Sequence, residues 1–242
     1  MSISKQRIGI IGGAGPMAGM LLYQKIIEIC QKEHNCQHDA DFPYIMLLSY
    51  PFADMLRDGI TPEKRTLLAS QIDECFSTFS QNGIQIIAIA CNTLHLFLTP
   101  ELMEKSLKFT FVHMIKEIRE LLTEKNLKES LVLCSNTSAN SRLHASHFTC
   151  SYPQEVLQHK CQAMIDLVLA GKESKEAVAE FTLELNHELL ANAKRKMALV
   201  LGCTEFSVLN ERFPFHAHGL SDQFSIIDSN EIVARKICNQ IF

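Results

Sequence analysis

The chain has 242 residues, 47% hydrophobic and 21% charged, enough to form one large core or two smaller ones. A net charge of −4 with no basic block argues against nucleic-acid or anionic-membrane binding. No apolar run reaches the roughly 18 residues of a membrane span, and the start, Met1–Arg7 leading to Gly12-Gly13, lacks the longer apolar core of a signal peptide, so a cytoplasmic protein is expected.

Arg7–Gly12 is the first apolar run and reads as a buried strand. The loop Gly12-Gly13-Ala14-Gly15-Pro16 follows directly. Gly13-x-Gly15-x-x-Ala18 formally fits a dinucleotide fingerprint. The next strand, Tyr44–Ser49, ends without the Asp or Glu that would hold a ribose. A tight loop whose backbone at Gly13, Ala14 and Gly15 approaches a small carboxylate is the favoured reading. A turn that merely needs glycines is its rival. Tyr50–Arg57 follows the second strand, where Tyr50 or Arg57 could bond a second carboxylate.

Thr61–Gln81 is the clearest helix. Thr61 caps it, Pro62 suits its first turn and Asn82-Gly83 ends it, with Leu68, Ile72, Cys75, Phe76 and Phe79 as its buried stripe. Gln85–Cys91 is the third strand and Ser130–Ser135 the fourth. The polar run Ser135–Ser141 leads into a helix and either binds an anion or simply caps. Helices are predicted over Gln154–Ala170, ended by Gly171, and over Ser174–Lys194. The strands Met197–Gly202 and Ser225–Asp228 and the helix Asn230–Ile241 complete the chain. Alternating strand and helix argue for α/β layering with mostly parallel strands.

Nine cysteines, an odd number without C-x-x-C, do not suggest disulfides. Cys75, Cys134, Cys161 and Cys238 read as small buried hydrophobes. Two others differ. Cys91 ends the run Ile89-Ala90-Cys91-Asn92-Thr93-Leu94-His95, and Cys203 ends Val200-Leu201-Gly202-Cys203-Thr204-Glu205. Each stands at the carboxyl end of a predicted strand, with small polar residues and a helix following, where α/β proteins build active sites. A free thiol titrates at about 8.5, and a helix N-terminus favours its thiolate. Two such thiols could remove a proton from one face of a carbon and return one to the other.

Asn92, Thr93 and Thr204 offer donors for a carboxylate. Glu205 is either a first-turn helix charge or a ligand for a substrate ammonium. His95, four residues after Cys91, either tunes the thiol, bonds the substrate or packs on the helix face. Neither His34 with His38 nor His144 with His147 completes a metal-ligand pattern, so no metal is expected.

Ile8–Pro16, Cys91–His95 and Leu201–Glu205 together resemble the aspartate/glutamate racemase family, on its broad amino-acid branch. Thr137 with Ser141, and Asp228-Ser229-Asn230-Glu231-Ile232, match weaker elements of it. The resemblance runs over essentially the whole chain. It implies two pseudo-symmetric α/β domains, each a mostly parallel sheet flanked by helices, with the active site in the cleft between them. The domains are expected over 1–111 with 216–242, and over 112–215.

The resemblance further implies a homodimer, an amino-acid substrate, no pyridoxal phosphate or other cofactor, and Cys91 and Cys203 as the catalytic acid/base pair. Gly13, Ala14, Gly15, Asn92, Thr93, Thr137, Thr204, Glu205 and His95 would line the substrate. The sequence departs from the family after the second strand. Relatives there often carry Asn-Pro and then an Arg that holds a side-chain carboxylate, whereas this chain reads Tyr50-Pro51-Phe52-Ala53-Asp54-Met55-Leu56. Leu169 stands where relatives tend to carry a basic residue. Substrate identity is therefore open between aspartate, glutamate and a wider set. Hydantoin racemases, maleate isomerases and arylmalonate decarboxylases share the scaffold, and a silent amino-acid-binding protein is the non-enzymatic alternative.

Overall fold

The computed structural model describes residues 6–55, 59–192 and 197–242. The chain divides into two compact units, one of residues up to 117 together with 230–242, the other of 118–229.

In the first unit, β1 (Ile8–Gly12) is followed by α1 (Pro16–Glu33), β2 (Ile45–Ser49), α2 (Pro62–Gln81), β3 (Ile86–Ile89), α3 (Pro100–Ser106), β4 (Thr110–Val112) and α4 (Met114–Glu124). α4 runs on into the second unit's residues. The strands form a parallel sheet in the order β2-β1-β3-β4. β1 and β3 lie inside it and are buried along their whole length. That burial is why both read as continuous apolar runs rather than as an alternating pattern.

α2 behaves as its sequence dictates. The Thr61 hydroxyl accepts the Lys64 amide at 3.2 Å, Pro62 opens the helix, and the predicted stripe is buried. Phe79 is fully buried, which stabilises the unit by about 1.5–3 kcal/mol. α1 lies so close to β1 that a Cβ on Gly19 would come 3.0 Å from the Gly12 Cα.

The second unit holds β5 (Ser130–Leu133), α5 (Asn136–Asn140), α6 (Glu155–Ala170), α7 (Lys175–Asn192), β6 (Ala198–Leu201), α8 (Thr204–Arg212) and β7 (Ser225–Asp228). Its sheet is parallel in the order β5-β6-β7. α6 ends at Gly171, whose φ of 64° closes the helix in the left-handed region, as expected from the sequence. α9 (Ser229–Ile241) then returns the chain to the first unit.

Four elements go beyond the sequence reading: α1, α3, β4 and α4. β4 has only three residues and exists because Ile86–Ala88 of β3 pair with it in register. The two compact units meet at 117/118 and 229/230. β7 is the physical reason for the later junction: it pairs with β6, from Ala198 with Ser225 to Leu201 with Asp228, and so belongs to the second sheet. Arg57 and the end of the helix predicted to reach Lys194 lie outside the described residues.

Candidate active site

Register places the candidate residues. In the first sheet Ile11 pairs with Ile89 and Ala88 with Val112, so the chain after β1, β3 and β4 emerges along one carboxyl edge. That edge carries Gly13–Gly15, Cys91–His95 and His113. In the second sheet Leu133, Leu201 and Asp228 end the three strands in register. The carboxyl edge there carries the Ser135–Ser141 turn and Cys203–Glu205.

Gly13 has φ 96° and passes so near the next crossover that a Cβ would lie 2.0 Å from the Tyr50 carbonyl oxygen. The Tyr50 amide donates to the Gly12 carbonyl at 3.1 Å. Gly15, also left-handed at φ 82°, precedes Pro16 as the N-cap of α1. Backbone crowding therefore requires glycine at position 13 whatever the loop binds. The Tyr50 hydroxyl donates to Glu74 at 2.7 Å, so this side chain is turned onto α2.

Cys91 follows β3 and is 8% exposed. The backbone is locked just before it, where the Ala90 amide donates to the Ile11 carbonyl at 2.8 Å. Asn92 and Thr93 are buried at the start of a short 3-10 helix, Thr93–Phe97. His95 lies one turn on, with Nδ1 2.9 Å from the Cys91 carbonyl oxygen. A carbonyl only accepts, so Nδ1 carries the hydrogen. The ring fixes the backbone of the cysteine rather than packing on an outer helix face. It lies parallel to Phe111 at 6.2 Å and tilted against His113 at 4.4 Å.

His113 is the residue the sequence reading missed. It is buried at the end of β4, and its carbonyl and ring both accept the Lys116 amide that opens α4. The only signal was the short apolar run Phe109–Val112 ahead of it.

Cys203 is the N-cap of α8, extended at φ −127° and ψ 133°, and 6% exposed. A cap residue ordinarily accepts a helix amide through its side chain. Here Sγ instead donates to Glu205 Oε2 at 2.8 Å. Glu205 is buried, and burial raises its carboxyl above the usual range against the opposing effects of the Cys203 thiol, its own amide and the Thr204 hydroxyl. Gly202 makes room for a buried histidine. A Cβ there would fall 2.3 Å from Val132 Cγ1 and 2.9 Å from His144 Nε2.

Ser229 Oγ donates to the Leu201 carbonyl at 2.9 Å, and Ser207 Oγ donates to Asp228 at 2.7 Å, which ties the end of β6 and the start of α8 to β7. In the first unit, Asn230 Nδ2 donates to the Ala18 carbonyl at 3.2 Å. Thr137 is half-buried on α5, and its carbonyl accepts the Ser141 amide. Ser135 caps that turn through the Ser138 amide, so the ordinary capping role is satisfied there.

The remaining cysteines differ chemically. None of the nine is in a disulfide. Burial pushes the Cys75 thiol up to about 12, with the Glu74 carboxylate adding to it. It pushes Cys150 to about 11 and holds Cys134 and Cys161 well above the thiol range. These groups stay protonated at neutral pH, as structural thiols do. No group of three or more histidine, cysteine or acidic side chains suited to a metal occurs among the described residues. Among them, too, no helix is long and apolar enough to cross a membrane.

The chain is an α/β protein of two parallel sheets flanked by helices, each with a buried cysteine at its carboxyl edge ahead of a helical turn. The chain belongs to the Asp/Glu/hydantoin racemase family, whose sequence pattern matches residues 11–237. It is 24% identical over 235 residues to the broad specificity amino-acid racemase RacX of Bacillus subtilis (strain 168), covering 94% of this chain and 95% of that protein. The fold matches an aspartate racemase homologue from Pyrococcus horikoshii OT3 with TM-score 0.73 at 20% identity, over 98% of this chain and 99% of that one. It matches the aspartate racemase of Picrophilus torridus with TM-score 0.73 at 21% identity, over 98% and 94%. Glutamate racemase from Thermus thermophilus aligns with TM-score 0.66 at 17% identity, over 98% and 80%.

Proposed function

We propose that this protein is a cofactor-independent amino-acid racemase in which Cys91 and Cys203 are the acid/base pair. The observation that carries this reading is the repeated construction: a buried parallel strand, a cysteine at its carboxyl end, then buried Asn-Thr or Thr-Glu opening a helical turn. Family membership supports it.

In this scheme one cysteine, as thiolate, removes the α-proton. The other, as thiol, protonates the opposite face, and the roles exchange in reverse. Asn92, Thr93, Thr204 and the Gly13–Gly15 backbone stabilise the carboxylate as it gains enediolate charge. His95 sets the backbone of Cys91 through its carbonyl.

The substrate range proposed is wider than the acidic amino acids. The chain from Tyr50 to Leu56 contains no arginine, Tyr50 is bonded to Glu74, and Leu169 is an exposed apolar residue on α6. The broad specificity in the name of the Bacillus relative supports the same range. The test is α-deuterium incorporation in D₂O with L- and D-aspartate and glutamate and a panel of neutral amino acids, without pyridoxal phosphate. Exchange and loss of optical rotation are expected with at least one neutral amino acid. Exchange confined to aspartate or glutamate would overturn the broad range, and no exchange with any member would overturn the racemase itself.

A further inference from the structure

We propose that Glu205 is the proton partner of Cys203: the thiol and the carboxyl share one proton, and the Cys203 thiolate forms by passing that proton to Glu205 rather than to water. This deepens the racemase reading and rests on it for its catalytic consequence. The pairing itself stands on geometry.

Three observations carry the assignment. Sγ and Oε2 are 2.8 Å apart. Both side chains are buried, Cys203 at 6% and Glu205 at 5% exposure, so each is the other's near proton partner. Cys203 holds the N-cap position of α8, and its Sγ donates to the carboxylate two residues on where a cap side chain would accept a helix amide.

The proton inventory is closed. In the resting pair, Cys203 S–H donates to the Glu205 carboxylate. Transfer breaks S–H and forms O–H, and the net charge of the pair remains −1. The thiolate then takes the α-proton, breaking C–H and forming S–H, while Glu205 stays neutral. In reverse, the thiol gives its proton to the carbanion and the resulting thiolate is bonded by the neutral carboxyl. A thiolate beside an ionised carboxylate never has to form. Burial favours this because it raises the carboxyl toward the thiol and shrinks the cost of the transfer.

Besides burial, the Glu205 carboxyl is subject to the Cys203 thiol, its own amide and the Thr204 hydroxyl. Asp228 of β7 is bonded to Ser207, one turn further along α8, and His144 packs under Gly202. Among the described residues, α6 and β6, the elements most closely packed on α8 in this unit, add no charged group to the interactions bearing on that carboxyl.

The experiment is iodoacetamide alkylation of the full-length protein from pH 4 to 10, with the Cys203 peptide followed by mass spectrometry and no substrate present. A shared proton gives two macroscopic steps. The Cys203 rate rises, holds a plateau while the one-proton pair dominates, then rises again. Glu205→Gln is expected to leave one rise without a plateau. In racemisation, the same variant is expected to lower kcat about 10–100-fold, the scale of a positioned proton-transfer group, with KM changed less than about threefold.

A single alkylation step in the wild type would overturn the pairing without any variant having to fold. An unchanged Cys203 profile in Glu205→Gln, with KM raised tenfold and kcat kept, would make Glu205 a ligand of the substrate ammonium instead. A plateau with no racemisation of any amino acid would leave the pair standing and overturn only the proposed reaction.

Discussion

Cys91→Ala and Cys203→Ala are each expected to abolish racemisation, by at least about a thousandfold, while the fold survives. Each substitution removes one sulfur from a site 8% or 6% exposed. A cavity of that size costs on the order of 1 kcal/mol, too little to unfold the chain. The chemical loss is far larger, because a positioned acid or base contributes roughly 10²–10⁴ in rate and inversion needs both. The variants should also differ from one another. With one cysteine left, proton removal from a single enantiomer can persist, so each variant should wash deuterium into one enantiomer without inverting it. The enantiomer labelled should be opposite in the two. Chiral chromatography combined with α-proton NMR reads both quantities. Racemisation at the wild-type rate in either variant would remove the two-base scheme.

Gly13→Ala is expected to destabilise the protein strongly. Two costs coincide there. The residue holds φ 96°, where an L side chain is strained by about 1–2 kcal/mol. Its Cβ would also stand 2.0 Å from a backbone oxygen of Tyr50 and 2.6 Å from the Tyr50 nitrogen, atoms held by the Tyr50 to Gly12 hydrogen bond. Overpacking of this kind adds roughly 1–3 kcal/mol or more.

Gly171→Ala is the internal control. That glycine has φ 64°, but nothing lies within 4 Å of the added Cβ, so only the backbone cost of about 1 kcal/mol applies. The difference in urea midpoint between the two variants isolates the crowding between β1 and the crossover after β2. Equal midpoints would mean that the Gly13 turn can relax away from Tyr50.

The same crowding bears on the function of the glycine loop. Glycine at position 13 is needed for the chain to pass Tyr50, so its presence alone says nothing about a ligand. The dinucleotide fit of Gly13-x-Gly15-x-x-Ala18 reflects this shared geometry. A strand, a left-handed turn and a helix pressed on the strand through Gly12 and Gly19 meet the same packing demand with or without a nucleotide.

Much of the fold was legible in the residues themselves because local chemistry fixed it. Ile8–Gly12 and Ile86–Ile89 are buried on both faces and so had to be continuous apolar runs. Thr61 and Pro62 start α2 by satisfying or lacking the first amides, and Gly171 ends α6 because it alone takes the left-handed turn without cost. Cys91 and Cys203 stood out for a related reason. An apolar strand that stops at a cysteine followed by Asn-Thr or Thr-Glu turns from core to capping chemistry at a single residue.

Other features had no local cause. β4 is three residues of modest strand character, stabilised by its ladder to β3, and His113 was invisible without it. β7 joins the second sheet through its register with β6, a long-range pairing that sets the unit boundary at 229/230. The directions of His95 and Glu205 were likewise undecided by spacing. His95 turns to the Cys91 carbonyl and Glu205 to the Cys203 thiol because burial leaves a polar atom few partners. The sequence by itself singled out the two cysteines and the strand ends at which they stand, since composition and capping act over a few residues. Only the tertiary structure decided what each of those side chains bonds, because a hydrogen-bond partner inside a folded unit is chosen by what packing brings within 3 Å.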